Sequence, residues 1–89
     1  MRRLLHKGYG PLRIQAELGQ KGIPGPVGKA ALEEAAPDWL EQAQNAYNRR
    51  FRDAAIQDKN DWAKRARYLA SRGFEPAQIR AVLAKADRP

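Results

Sequence analysis

Two hexapeptides, LGQKGI at 18–23 and LASRGF at 69–74, lie 51 residues apart and share one pattern: Leu, two spacers, a cation, Gly and a large apolar residue. Glycine just past a helix takes the left-handed conformation at little cost, and the apolar residue after it folds back over the last turn. Each hexapeptide therefore reads as a helix stop, with Ile23 and Phe74 as staples. A proline-containing segment follows each stop, and a second short helix begins. Val27 and Leu32 carry its apolar phase in the first copy, Ile79 and Leu83 in the second, with the spacing after the glycine differing by one residue. A stop and restart that recurs predicts tandem helical repeats. One helix pair of this size cannot bury its own apolar face, so neighbouring units must complete the core.

Enrichment in Ala, Leu, Glu, Gln, Arg and Lys, without β-branched alternation, predicts an all-α fold of helix-turn-helix-like pairs. A first helix opens at Pro11 with Gly10 as cap, because proline there gives up an amide that lacks a partner anyway. It runs to Gly22 with Ile14 and Leu18 on one face. The PGP at 24–26 leads into a second helix capped by Gly25, with Val27, Ala30, Ala31 and Leu32 on its apolar side, ending before Pro37. Asp38, with Glu41 three residues on, opens a third helix whose stripe is Leu40, Ala43, Tyr47 and Phe51, flanked by Trp39. A fourth helix over about 61–72 turns Trp62, Ala66 and Leu69 inward. A fifth opens at Pro76 with Ile79, Val82 and Leu83 inward. Both tryptophans are expected in the core, and the final ADRP is expected to fray. The expected division is 1–52 and 53–89.

With 89 residues, no cysteine and one histidine, His6, the chain offers no disulfide framework, no thiol chemistry and no zinc ligand set. No metal or cofactor is expected, and a reducing cytoplasm is the natural setting. The opening MRRLL lacks a secretory apolar stretch, so no export is expected, and no run is long enough to span a bilayer. Glu33 and Glu34 are adjacent and so point to different parts of a helix surface. Without a phosphate-cradling loop, a nucleophile with its base or paired carboxylates, the chain does not read as an enzyme.

The formal net charge is +7, and it is unevenly placed: residues 1–48 carry six Lys/Arg against five Asp/Glu, residues 49–89 eleven against five. A one-signed surface steers anionic partners. Arg49, Arg50 and Arg52 close the third helix. On the fourth, Lys64, Tyr68 and Arg72 recur every four residues as one ridge, with Arg65 beside it and Arg67 elsewhere around the helix. Arg80 lies on the fifth. Together these nine residues are the candidate surface for DNA phosphates or an acidic protein patch. Tyr68 either stacks on a base or packs at the edge of the core.

The strings KGYGPLRIQAELGQKGI at 7–23, DW at 38–39 and ARYLASRGFEPAQIRAVL at 66–83 resemble the second and third repeats of the RecX family, bacterial regulators of the RecA recombinase. The resemblance covers nearly the whole chain in order, starting at about the end of the first repeat. It departs at Pro24 and Glu75, where the family has better capping residues, which shifts helix starts rather than breaking them. It implies tandem three-helix repeats in an elongated, curved body that docks in the groove of the RecA–single-stranded-DNA filament. It also implies negative modulation of recombination, ATP turnover and coprotease action in DNA repair and the SOS response. The implied partner is the RecA filament; a cytoplasmic monomer without a cofactor is expected, with single- or double-stranded DNA as a further ligand. The alternative reading is an autonomous helix-turn-helix-like DNA-binding module. The second helices, PVGKAALEEAA and PAQIRAVLAKA, speak against it, being poor in base-reading side chains at their starts.

Overall fold

The computed structural model describes residues 6–35, 38–52 and 54–86, and every regular element among them is helical: α1 (Pro11–Gln20), α2 (Gly25–Ala35), α3 (Trp39–Phe51), α4 (Lys59–Ser71) and α5 (Pro76–Ala86). The expected stop before Pro37, the fraying of ADRP beyond its first residue and the export reading of MRRLL lie outside the described residues; Ala86, the first residue of ADRP, is helical and packs on the second core.

The two glycine stops form the same turn. After α1, Gly22 takes φ 84°, its N–H donates to the Gly19 carbonyl at 3.0 Å, and the Ile23 N–H donates to Leu18 at 3.0 Å. After α4, Gly73 takes φ 95°, its N–H donates to Ala70 at 3.0 Å, and the Phe74 N–H donates to Leu69 at 3.2 Å. Carbonyls left over at each helix end are thereby satisfied, and Phe74 is buried while Ile23 is half-buried against its own core.

Helix starts follow from local chemistry. The Asp38 carboxylate accepts from the Glu41 N–H at 3.1 Å, as the capping pattern predicts. Asp58 accepts from the Asp61 N–H at 2.8 Å, so α4 begins at Lys59, two residues earlier than expected. The first bonds of α2 and α5 run from Gly28 to the Pro24 carbonyl and from Ile79 to the Glu75 carbonyl, both 3.0 Å. Pro24 and Glu75 are therefore the boundary residues, rather than Gly25 in the first copy. The 51-residue register holds through both helix pairs, without the expected one-residue slip. Gly28, which is buried, is the counterpart of Ile79, and Val27 is left 57% exposed. Leu40 is likewise 50% exposed; α3 instead buries Ala43, Ala46 and Tyr47.

Two cores result. Ile14, Leu18 and Leu32 form the first, with Tyr9, Ile23 and Trp39 packed on it. Ala43, Ala46, Tyr47, Leu69, Phe74, Ile79, Val82 and Leu83 form the second, flanked by Phe51, Trp62 and Tyr68. Both tryptophans are half-buried at core edges rather than central. The buried stripe of α3, Ala43, Ala46 and Tyr47, packs on α4 and α5.

The units meet backbone to backbone. The Gly10 N–H donates to the Arg72 carbonyl at 2.7 Å and the Leu12 N–H to the Gly73 carbonyl at 2.9 Å. The amino end of α1 thus meets the carboxyl end of α4, pairing free donors with free acceptors. A side chain at Gly10 would come within 2.5 Å of the Gly73 carbonyl, and one at Gly73 would overlap the backbone and Cβ of Arg13. The molecule measures 43 × 20 × 20 Å, an elongated helical body.

Candidate partner-binding surface

The nine candidate residues do not form one surface. Several of them converge on the junction between the units. Arg49 and Arg72 direct their guanidinium groups toward Gly8, whose φ of 79° and missing side chain leave room for both. Arg72 donates to the Lys7 carbonyl and lies 4.7 Å from the centre of the Tyr9 ring; its Nε is buried without a hydrogen-bond partner. Arg13 lies 4.6 Å from the same ring, donates to Glu17 at 3.2 Å and reaches the Ser71 carbonyl at 3.5 Å. Tyr9 and Arg13 are additions to the nine. The signal for them is the glycine-flanked Gly8-Tyr9-Gly10 string, which puts an aromatic where two backbones close.

Alongside, the Tyr68 ring meets Phe51 edge-on, with centroids 5.5 Å apart and planes at 87°. Arg50 lies 5.8 Å from Tyr68 and 5.7 Å from Phe51. Tyr68 is thus half-buried and carries a cation on an exposed side, an interaction worth about 0.5–1 kcal/mol. Lys64, one turn earlier on α4, is exposed. Arg49, Arg50, Lys64, Tyr68 and Arg72, joined by Arg13, make a basic junction face.

Arg65 is a correction. It is only 4% exposed and belongs to the interior. Its guanidinium donates to the Tyr47 hydroxyl at 2.6 Å, the Ala54 carbonyl at 2.8 Å, the Ala55 carbonyl at 3.1 Å and the Asp61 carboxylate at 3.0 and 3.2 Å. Burial works against the charge, but the Tyr47 hydroxyl and Asp61 more than offset it, and the pKa is raised. The Asp61 carboxyl is held below the ordinary value of 3.8, first by the Gln57 N–H and then by Arg65. Arg65 holds Ala54 and Ala55 against α4 and is not available to a partner.

Arg52 is exposed at the end of α3 with φ 53°, beside a mixed hollow lined by Gln44, Asn48 and Lys85 together with Tyr47, Ala55 and Ala86. Arg67 and Arg80 stand together on another flank, around Trp62, Ala66 and Ile79. Among the described residues the ion pairs are Arg13–Glu17 and Arg65–Asp61, so the other candidate cations have no carboxylate against them there. No three His, Asp or Glu gather as a metal site among the described residues, and no helix there is long and apolar enough to cross a membrane.

Two family models match this arrangement: RecX, third three-helix domain, over residues 37–83, and RecX, second three-helix domain, over residues 2–32. The chain belongs to the RecX family. The third-domain match begins ahead of α3, in keeping with the membership of the second core. Regulatory protein RecX of Chromohalobacter salexigens is 44% identical over 86 residues, covering 97% of this chain and 56% of the relative. That of Halorhodospira halophila is 39% identical over 98% of this chain and 54% of its own length. That of Acidithiobacillus ferridurans is 44% identical over 89% of this chain and 81% of its own. The chain thus spans about half the length of the first two RecX relatives. No solved structure is a significant match.

Proposed function

We propose that this RecX-family chain binds the RecA–single-stranded-DNA filament and restrains its recombinase, ATPase and coprotease activities. The observation that carries the reading is the junction face, where Arg49 and Arg72 converge at Gly8 beside Tyr9 and Arg50 lies over Tyr68. Cations from both units on an elongated body suit a long anionic partner, which a filament of protein and DNA provides. The relatives' name, regulatory protein, supports control rather than turnover. On this reading the protein works in the cytoplasm as a monomer, with DNA phosphates among its contacts.

The test is RecA ATP hydrolysis on single-stranded DNA with rising amounts of this chain. Hydrolysis is expected to fall, and to fall less with the Arg49→Ala/Arg50→Ala/Lys64→Ala variant. Hydrolysis that stays level at saturating wild-type chain would overturn the reading.

A further inference from the structure

On the other flank of α4, away from the junction face, Trp62, Ala66, Ala70, Pro76 and Ile79 line an apolar groove of about 350 Å³, with Arg67 and Arg80 beside it. Helix phase separates it from the Lys64–Tyr68–Arg72 ridge by the buried Arg65–Leu69 edge. None of its lining residues is acidic, and neither arginine has an ion-pair partner among the described residues.

The 51-residue register gives this groove a counterpart in the first unit: Pro11, Gln15 and Lys29 stand where Trp62, Ala66 and Arg80 stand in the second. The counterpart is already met by its neighbour. Trp39 and Glu75, both from the second unit, line the same hollow as Pro11, Gln15, Lys29, Leu32 and Glu33 of the first. The first hollow therefore receives an indole and a carboxylate from the neighbouring unit in addition to its own Glu33, whereas its twin is lined, among the described residues, by α4 and α5 alone.

We propose that the α4–α5 groove docks an acidic amphipathic helix of a partner protein. That helix supplies what Trp39 and Glu75 supply in the first unit: a bulky apolar side chain beside Trp62 and Ala66, the counterparts of Pro11 and Gln15, and a carboxylate to Arg80, the counterpart of Lys29, while Arg67 adds a second cation for the same acidic helix. Charge complementarity selects it, since the rim is cationic and the whole chain carries +7. A nucleic acid strand is disfavoured, because phosphates gain nothing from an apolar floor and Trp62 is engaged in packing against the second core.

The test is an NMR titration of the full ¹⁵N-labelled chain with a synthetic helical peptide bearing a Leu/Trp stripe flanked by Glu, and with the same stripe flanked by Lys. The Trp62 indole and the Ala66, Ala70 and Ile79 amides are expected to shift with the acidic peptide, at an affinity about tenfold above that of the basic one. Arg67→Glu/Arg80→Glu, at two exposed positions, is expected to reverse the order. Three results would overturn the proposal: no shift or equal binding by both peptides, the same shifts with an oligothymidine strand instead, or the same shifts on raising the chain's own concentration. Arg67 and Arg80 lie outside the junction face, so failure here leaves the RecA reading untouched.

Discussion

Arg65 occupies the position that Ile14 occupies 51 residues earlier, and both are buried. One unit fills the site with an aliphatic chain, the other with a guanidinium whose donors find a hydroxyl, two carbonyls and a carboxylate. A satisfied buried cation is tolerable, but removing it strands its partners, so Arg65→Ala should cost roughly 3–5 kcal/mol in a urea melt. Asp61 adds a pH signature. Its folded pKa is depressed, so its contribution is complete above the unfolded value near 3.8 and is lost as pH falls through the folded value. Asp61→Asn should therefore flatten the acid side of the stability profile while lowering stability at neutral pH. Parallel acid profiles for wild type and variant would show that Asp61 makes no such contribution. A cation at this position reads as surface in a sequence unless the repeat register is carried back as far as Ile14.

At the scale of elements, the two glycine stops share a turn and differ in what they meet. No atom lies within 4 Å of the place where a Gly22 side chain would stand, whereas a Gly73 side chain would run into α1 at Arg13. Gly22→Ala should lose only the backbone preference, about 1 kcal/mol, and Gly73→Ala at least about 2 kcal/mol, since the clash adds to the same φ cost. Equal losses in thermal melts would remove the backbone joint from the account. The stops, the Asp38 cap and the Pro11 start were legible because each depends on a few adjacent residues. The positions of Val27 and Leu40 were not. Apolar phase alone cannot tell which of two neighbouring apolar residues faces a core built from another part of the chain, and prolines one residue out of step hid the constant register.

Across the whole molecule, the C-terminal excess of Lys and Arg divides into buried, junction and groove-side groups. Composition revealed the excess, but only the packing separates Arg65 from Arg49, Arg50 and Lys64. The α-helical repeats were readable from the sequence because their stops recur; the joint between them was not, because it is made by backbone atoms of Gly10, Leu12, Arg72 and Gly73 that no side-chain pattern reports. In the proposed function, junction-face cations that have no carboxylate against them among the described residues drive binding to an anionic filament. The affinity for RecA–single-stranded-DNA filaments, measured against salt concentration for wild type and for Arg49→Ala/Arg50→Ala/Lys64→Ala, tests it most directly. Weaker binding by the variant and a shallower salt dependence are expected, by up to about one unit of slope for each phosphate no longer neutralised. The same affinity and the same slope for both proteins would contradict it.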